Sequence, residues 1–163
     1  MIPDRSISFR FAITLVLSIS GLATPAWSNF ETGMDAYNHG DYATALREWR
    51  PLAEQRDAEA QDFFGTLYFE GRGVSQDYVK ARQWWEKAAA QGSASAQNDL
   101  GLLYANGLGG PQDLVQAHMW YGLAAGNGYE IATEYRNDLA KQMTPAQITE
   151  AQTRAREWKP KTK

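Results

Sequence analysis

Few residues in this 163-residue chain are of types that do chemistry, and their spacing argues against it. The two histidines, His39 and His118, stand far apart, and neither has a second histidine at metal-ligand spacing. There is no cysteine to serve as nucleophile or thiolate ligand, and no Gly-x-Ser-x-Gly elbow. Gly71-x-Gly73 and Gly107-x-Gly109 look like pieces of a phosphate loop, but no lysine and no strand–turn–helix setting accompanies them. A turn between two helices explains them better. Asp41, Asp77 and Asp113 share one register, each just ahead of a helical pattern, and read as helix caps rather than acid–base catalysts. The expectation is a non-enzyme that uses no metal and no cofactor.

The elements that position these residues repeat. The segment opening at Asp77 recurs at Asp113, 36 residues on, and a weaker copy opens at Asp41. A fixed period of this size marks a solenoid, whose units cannot bury their apolar faces alone. Each unit divides into a helix A and a helix B. In the second unit Ala60, Phe63, Phe64, Leu67 and Tyr68 give helix A, over 58–70, a 3.6-residue apolar period. Helix B carries Ala81, Trp84, Trp85, Ala88 and Ala89, and the third unit repeats this as Ala117, Trp120, Tyr121, Ala124 and Ala125. Gly92 and Gly128 stand where helices end in a left-handed residue. Gly65 and Gly101 lie inside helix A, where glycine costs about 1 kcal/mol against alanine, so close helix packing is the expected return. After Gly128 a degenerate helix is expected over 129–142. Thr144, Pro145 and Gln147 then spell a capping box before a last helix reaching Trp158. No period-2 alternation appears, so no sheet is expected.

The N-terminus reads as a secretory signal over 1–28. Arg5 and Arg10 precede an apolar run from Phe11 to Leu22, and Ala26 and Ser28 offer the small residues a signal peptidase reads. An uncleaved membrane anchor is the alternative; the run is short for a bilayer span, and Pro25 closes it. Cleavage before Asn29 leaves a mature chain of about 135 residues, enough for one compact domain. With no cysteine for a lipid anchor, the product is expected to be soluble and periplasmic or secreted. Net charge is −3 overall, which disfavours nucleic acid and anionic membrane surfaces as partners.

The string from Ala60 through Gly65, Gly71, Gly73 and Asp77 to Ala81, Trp85 and Ala88 resembles a Sel-one-like repeat, the 36-residue relative of the tetratricopeptide repeat. Ala96, Gly101, Gly107, Asp113, Ala117 and Trp120 match it again. The first unit departs, because a shorter inter-helix loop separates Gly33 from Ala45. The resemblance implies an all-α, right-handed α-solenoid of stacked antiparallel helix pairs with a C-terminal capping helix. Its units would span about 29–57, 58–92 and 93–128, with the degenerate helix closing the repeat domain at 143 and the cap and tail occupying 144–163. It also implies scaffolding between proteins rather than catalysis.

In such a superhelix the A helices line the concave side. Projection places Met34, Tyr37 and Asn38, then Asp62, Thr66, Phe69 and Glu70, then Asn98, Leu102, Ala105 and Asn106 on that groove. Two readings stand: a groove that holds a peptide, with Tyr37 and Phe69 as aromatic anchors, or a solvated helix face. The A segments carry Glu31, Asp35, Glu59, Asp62, Glu70 and Asp99 and no lysine or arginine, so the groove should be negative and prefer a neutral or cationic segment. Helix-dipole placement accounts for part of this acidity, since Glu31, Glu59 and Asp62 are expected near N-termini. On the B side, Trp84 and Trp120 share one position, and core packing competes there with an exposed aromatic site. The expected function is an exported adaptor for a protein or peptide partner, an envelope protein, with no nucleic acid as partner and no membrane embedding after signal cleavage. A cell-wall-binding protein or hydrolase and a secreted effector module are the alternatives.

Overall fold

The computed structural model describes residues 26–160, with the side chains from residue 29 onward. The expected signal segment falls almost wholly outside the described residues, as does the end of the tail. Eight helices follow in order: α1 (Ala26–Asn38), α2 (Tyr42–Glu54), α3 (Ala58–Glu70), α4 (Tyr78–Ala90), α5 (Ala94–Asn106), α6 (Leu114–Gly126), α7 (Ala132–Ala140) and α8 (Pro145–Glu157). Helices α1, α3 and α5 are A helices, and α2, α4 and α6 are B helices. Each packs on the next in the chain, which makes an α-solenoid of antiparallel pairs. Among the described residues there is no strand, and no helix is long and apolar enough to cross a membrane.

The helix ends follow from side-chain chemistry. Asp41, Asp77 and Asp113 accept from the backbone N–H groups of Thr44, Lys80 and Gln116 and so start the three B helices. Hydrogen bonds from Thr44 and from Lys80 hold the Asp41 and Asp77 carboxyls below the usual carboxylate range. Asp57 and Ser93 cap α3 and α5 in the same way. Gly92 and Gly128 take φ of 95° and 94°, but the first unit has Arg56 at this place, at φ 70°. That residue holds a left-handed conformation without glycine's freedom. Thr144 and Gln147 complete the capping box of α8.

Within each unit, helix A seats an aromatic of helix B on its glycine. A Cβ added to Gly33, Gly65 or Gly101 would stand 2.6, 2.5 or 2.6 Å from a ring carbon of Trp49, Trp85 or Tyr121. The indole N–H groups of Trp49 and Trp85 donate to the carbonyls of Phe30 and Asp62, one turn before those glycines. Between units a buried glutamine does the joining. The Gln61 side chain donates to the Ala53 carbonyl at the end of α2 and accepts from Gln91 at the end of α4. Gln97 repeats both bonds, to Ala89 and from Asn127. The inter-helix loops close the joint, since Gly73 and Gly109 sit against the backbone at Tyr42 and Tyr78 of the preceding unit. The resemblance of these loops to phosphate-binding turns therefore reflects packing.

The C-terminal end departs from the repeat. Helix α7 starts at Ala132, three residues later than expected, because Tyr129 stands where Asp57 and Ser93 cap the other A helices, and Ile131 supplies no side-chain acceptor. Helix α8 packs chiefly on α6, burying Ala151 and bringing Trp158 edge-on to Trp120, with centroids 6.0 Å apart. The solenoid is thus capped from the B side. Trp84, the counterpart of Trp120, is half-buried edge-on to Phe64 of its own unit.

The glycine seat predicts that Gly65→Ala lowers the midpoint of chemical denaturation by the equivalent of about 1–3 kcal/mol, since the indole must move. The Arg56→Gly variant should change stability the other way, by about 0.5–1 kcal/mol, as it relieves a left-handed non-glycine residue. Equal and small effects from both would refute the packing argument.

Candidate functional site

The face carried by α1, α3 and α5 is acidic because each helix contributes carboxylates and no lysine or arginine. Glu59 lies in the first turn of α3, yet Glu31 is the sixth residue of α1 and Asp62 the fifth of α3, so the helix dipole accounts for less of this charge than the sequence suggests. Burial raises the Glu59 pKa, and the charges of Asp57, Glu31 and Asp62 add to it, which puts these carboxylates within one field.

At the junction of the second and third units this face carries a buried polar cluster. Asp62 accepts hydrogen bonds from the hydroxyls of Ser93, at 3.3 Å, and Ser95, and burial pushes its carboxyl up. Asp99, one turn beyond Ser95, receives a hydrogen bond of 3.2 Å from the Asn98 amide. Its carboxyl is pushed up to about 7, first by burial and then by the nearby charge of Asp62. The phenols of Tyr121 and Tyr129 are raised too, chiefly by burial, with Asp99 adding to both. Two acceptor atoms in the cluster, Asp62 Oδ1 and Asn98 Oδ1, are buried without a hydrogen-bond partner. Burial therefore favours the protonated form of both carboxyls, and of Asp99 the more, since the charge of Asp62 adds to it.

The residues projected onto the groove fall into four groups. Tyr37 and Glu70 meet directly, the phenol donating to the carboxylate at 3.0 Å, and Arg72 from the following loop bonds both. Arg72 also lies over the rings of Tyr37 and Tyr42, so a cation from outside the A helices neutralises this corner. Asp62, Asn98 and Thr66 belong to the buried cluster or its border, Thr66 donating to the Asp62 carbonyl. Phe69 is half-buried against Tyr78 and Trp85, and Met34 and Ala105 likewise lie against core clusters. Phe69 thus packs within its own unit, while Tyr37 packs on Trp49 of its own unit and on Phe63 of the next. Asn38 and Asn106 are exposed at helix ends, and Leu102 is half-buried. Ser93, Ser95 and Asp99 were not among the projected residues. The 36-residue register pairs Ser93 with the cap Asp57 and so conceals its bond to Asp62 across the unit boundary.

His39 is exposed and bonds the Asp35 carbonyl of its own helix. Among the described residues no three His, Cys, Asp or Glu side chains gather in a way that could hold a metal ion.

A family model described as the Sel1 repeat matches residues 58–93 and 94–129, the second and third helix pairs. Among solved structures, the chain is similar to a protective antigen of uropathogenic Escherichia coli that displays an SLR fold. Identity is 31% with a TM-score of 0.78, covering 82% of this chain and 29% of that one. It therefore spans less than a third of the antigen's length. It is also similar to a Sel1 repeat protein from Oxalobacter formigenes, at 34% identity and a TM-score of 0.63, covering 69% of this chain and 88% of that one. No curated protein sequence matches.

The Asp62–Asp99 cluster predicts a specific pH dependence. Asp99 keeps its proton in the folded state up to about pH 7, whereas its ordinary carboxyl value is 3.8. Its contribution to stability is therefore full below about pH 4 and is lost as pH rises toward 7 and beyond. The Asp99→Asn variant should lack that loss, so the stability difference between variant and wild type should grow from pH 4 to pH 8 by on the order of 3 kcal/mol. A difference that stays constant with pH would show that Asp99 titrates normally.

Proposed function

The chain belongs to the Sel1 repeat family, and we propose that it is an exported adaptor whose A-helix face takes a neutral or cationic segment of a partner protein. Sel1 repeats generally act as non-catalytic protein–protein interaction scaffolds. The observation that carries the finer reading is the charge of α1, α3 and α5: Glu31, Asp35, Glu59, Asp62, Glu70 and Asp99, with no lysine or arginine on these helices. Arg72 cancels Glu70 at one corner, which leaves the exposed Glu31 and Glu59 as the uncompensated stretch. A field of one sign along a groove speeds the approach of an opposite charge and penalises like charge. Such a surface suits lysine- or arginine-bearing or uncharged segments and rejects a C-terminal carboxylate.

Export rests on the sequence of residues 1–28, and the envelope is accordingly where the partner is sought. The position of α8 supports the same surface, since the cap packs chiefly on a B helix and not on α1, α3 or α5.

Crosslinking in intact cells, followed by capture of the mature protein, tests this directly. Wild type should retain a partner that a Glu31→Lys, Glu59→Lys double variant loses, with helix content unchanged, and the wild-type complex should weaken several-fold as salt is raised. Fractionation should find the mature chain outside the cytoplasm, beginning at Asn29. Partner retention by the double variant, or binding that tightens with salt, would remove the acidic face from the account. An intact N-terminus in the cytoplasm would remove export.

A further inference from the structure

At the capped end, α6, α7 and α8 border an open surface pocket of about 230 Å³ lined by His118, Gly122, Arg136, Gln152, Ala155 and Arg156. Each helix supplies one nitrogen-bearing cationic or titratable side chain, and no carboxylate lines the space. Helix α6 gives His118, which is 5% exposed and makes no hydrogen bond with any described residue. Helix α7 gives Arg136, bonded only to the neighbouring Asn137 amide oxygen at 3.4 Å. Helix α8 gives Arg156, bonded to the Thr153 hydroxyl at 3.0 Å. Neither arginine has an acidic partner among the described residues, although Arg154, two positions earlier, is paired with Glu150. Burial, and then the charge of Arg136, hold His118 below its usual range, so the imidazole is neutral at pH 7.

The repeat varies at this place. Arg50, Glu86 and Gly122 share one register, 36 residues apart, so the third unit lacks the carboxylate that the second carries and the arginine that the first carries. The missing side chain leaves room, and the Arg136 stem lies over the gap: a Cβ added at Gly122 would meet Arg136 Cδ at 3.8 Å. Two guanidiniums facing a small space without a counter-charge repel each other, while burial and the charge of Arg136 keep the imidazole neutral. A guanidinium fork matches the oxygens of a phosphate or sulfate group, and these charge-assisted bonds are about twice as strong as neutral ones. We infer that this pocket is a binding site for a tetrahedral oxyanion of the phosphate or sulfate class, held by Arg136, Arg156 and His118. The site is separate from the acidic face, and it gives this net-negative chain one place suited to an anion.

Titration of the mature protein with sodium sulfate, against sodium chloride at matched ionic strength, is the first arm of the test. Sulfate keeps its charge between pH 5 and 8, so any pH effect reports the protein. Saturable binding by calorimetry is expected, tightening toward pH 5.5 as His118 takes up a proton beside the anion. Arg136→Gln and Arg156→Gln should each weaken it by about tenfold. Gly122→Glu, which introduces an internal counter-ion and meets no close contact at its Cβ, should abolish it while the melting temperature holds. Inorganic phosphate and glycerol phosphate form the second arm. Equal affinity assigns the site to the free ion, and a clearly tighter ester assigns it to a phosphate borne on a larger molecule. No saturable sulfate or phosphate binding above the chloride control, or binding that Gly122→Glu and Arg136→Gln leave intact, would overturn the site.

Discussion

The contact on which the rest of the molecule depends is the one between a glycine in each A helix and an aromatic ring of the B helix that follows. Trp49 on Gly33, Trp85 on Gly65 and Tyr121 on Gly101 fill space that any side chain on the A helix would claim. Each ring is almost wholly buried, so the glycine's intrinsic helix cost is offset by burial of the largest side chains in the core. The two indoles also fix the sliding register of the helix pair through a hydrogen bond to a carbonyl one turn earlier. Tyr121 has no N–H to offer there. Its phenol is buried instead, and its pKa is pushed up to about 12, chiefly by that burial.

Pairs built this way become a solenoid through a second, polar joint. Gln61 and Gln97 each tie the end of the preceding B helix to the end of their own unit's B helix, using both ends of the amide. A buried glutamine that lost either partner would leave polar groups unsatisfied, so the joint specifies spacing as well as adhesion. The series stops where its parts run out. Position 133 is a threonine and position 137 an asparagine, so the fourth A helix has neither the joint nor the seat. The chain turns there to lay α8 against α6.

Much of this was legible in the sequence because it is local or periodic. Asp77 heads an apolar pattern, Thr144 and Gln147 spell a capping box, and the recurrence of Gly65 at Gly101 announces a shared requirement. Long-range pairings were not legible. Nothing in the spacing of Asp62, Ser95 and Asp99 says that two helices from different units bring them into one dry cluster. Arg72 sits in a loop, and only the fold lays it over Tyr37 and against Glu70. Tyr37 and Phe69 look like exposed anchors when projected on a helical wheel, yet both are half-buried against neighbouring aromatic rings. A wheel records direction and not what stands in it.

The two ends of the charge distribution follow from the same architecture. A repeated backbone holds side-chain positions fixed while substitution changes what they carry: acids gather on α1, α3 and α5, and α6, with glycine at 122, offers no carboxylate to the arginines under the cap. All of this presumes that ring and glycine set the pair geometry. A double-mutant cycle between positions 65 and 85 measures that presumption most directly, comparing Gly65→Ala, Trp85→Leu and the two combined by equilibrium denaturation. The seat requires that a smaller residue at 85 absorb the added methyl, so the combined variant should be more stable than the sum of the single changes by about 1 kcal/mol or more. Strict additivity would mean that the two residues do not sense each other, and the account of how these helices pair would be wrong.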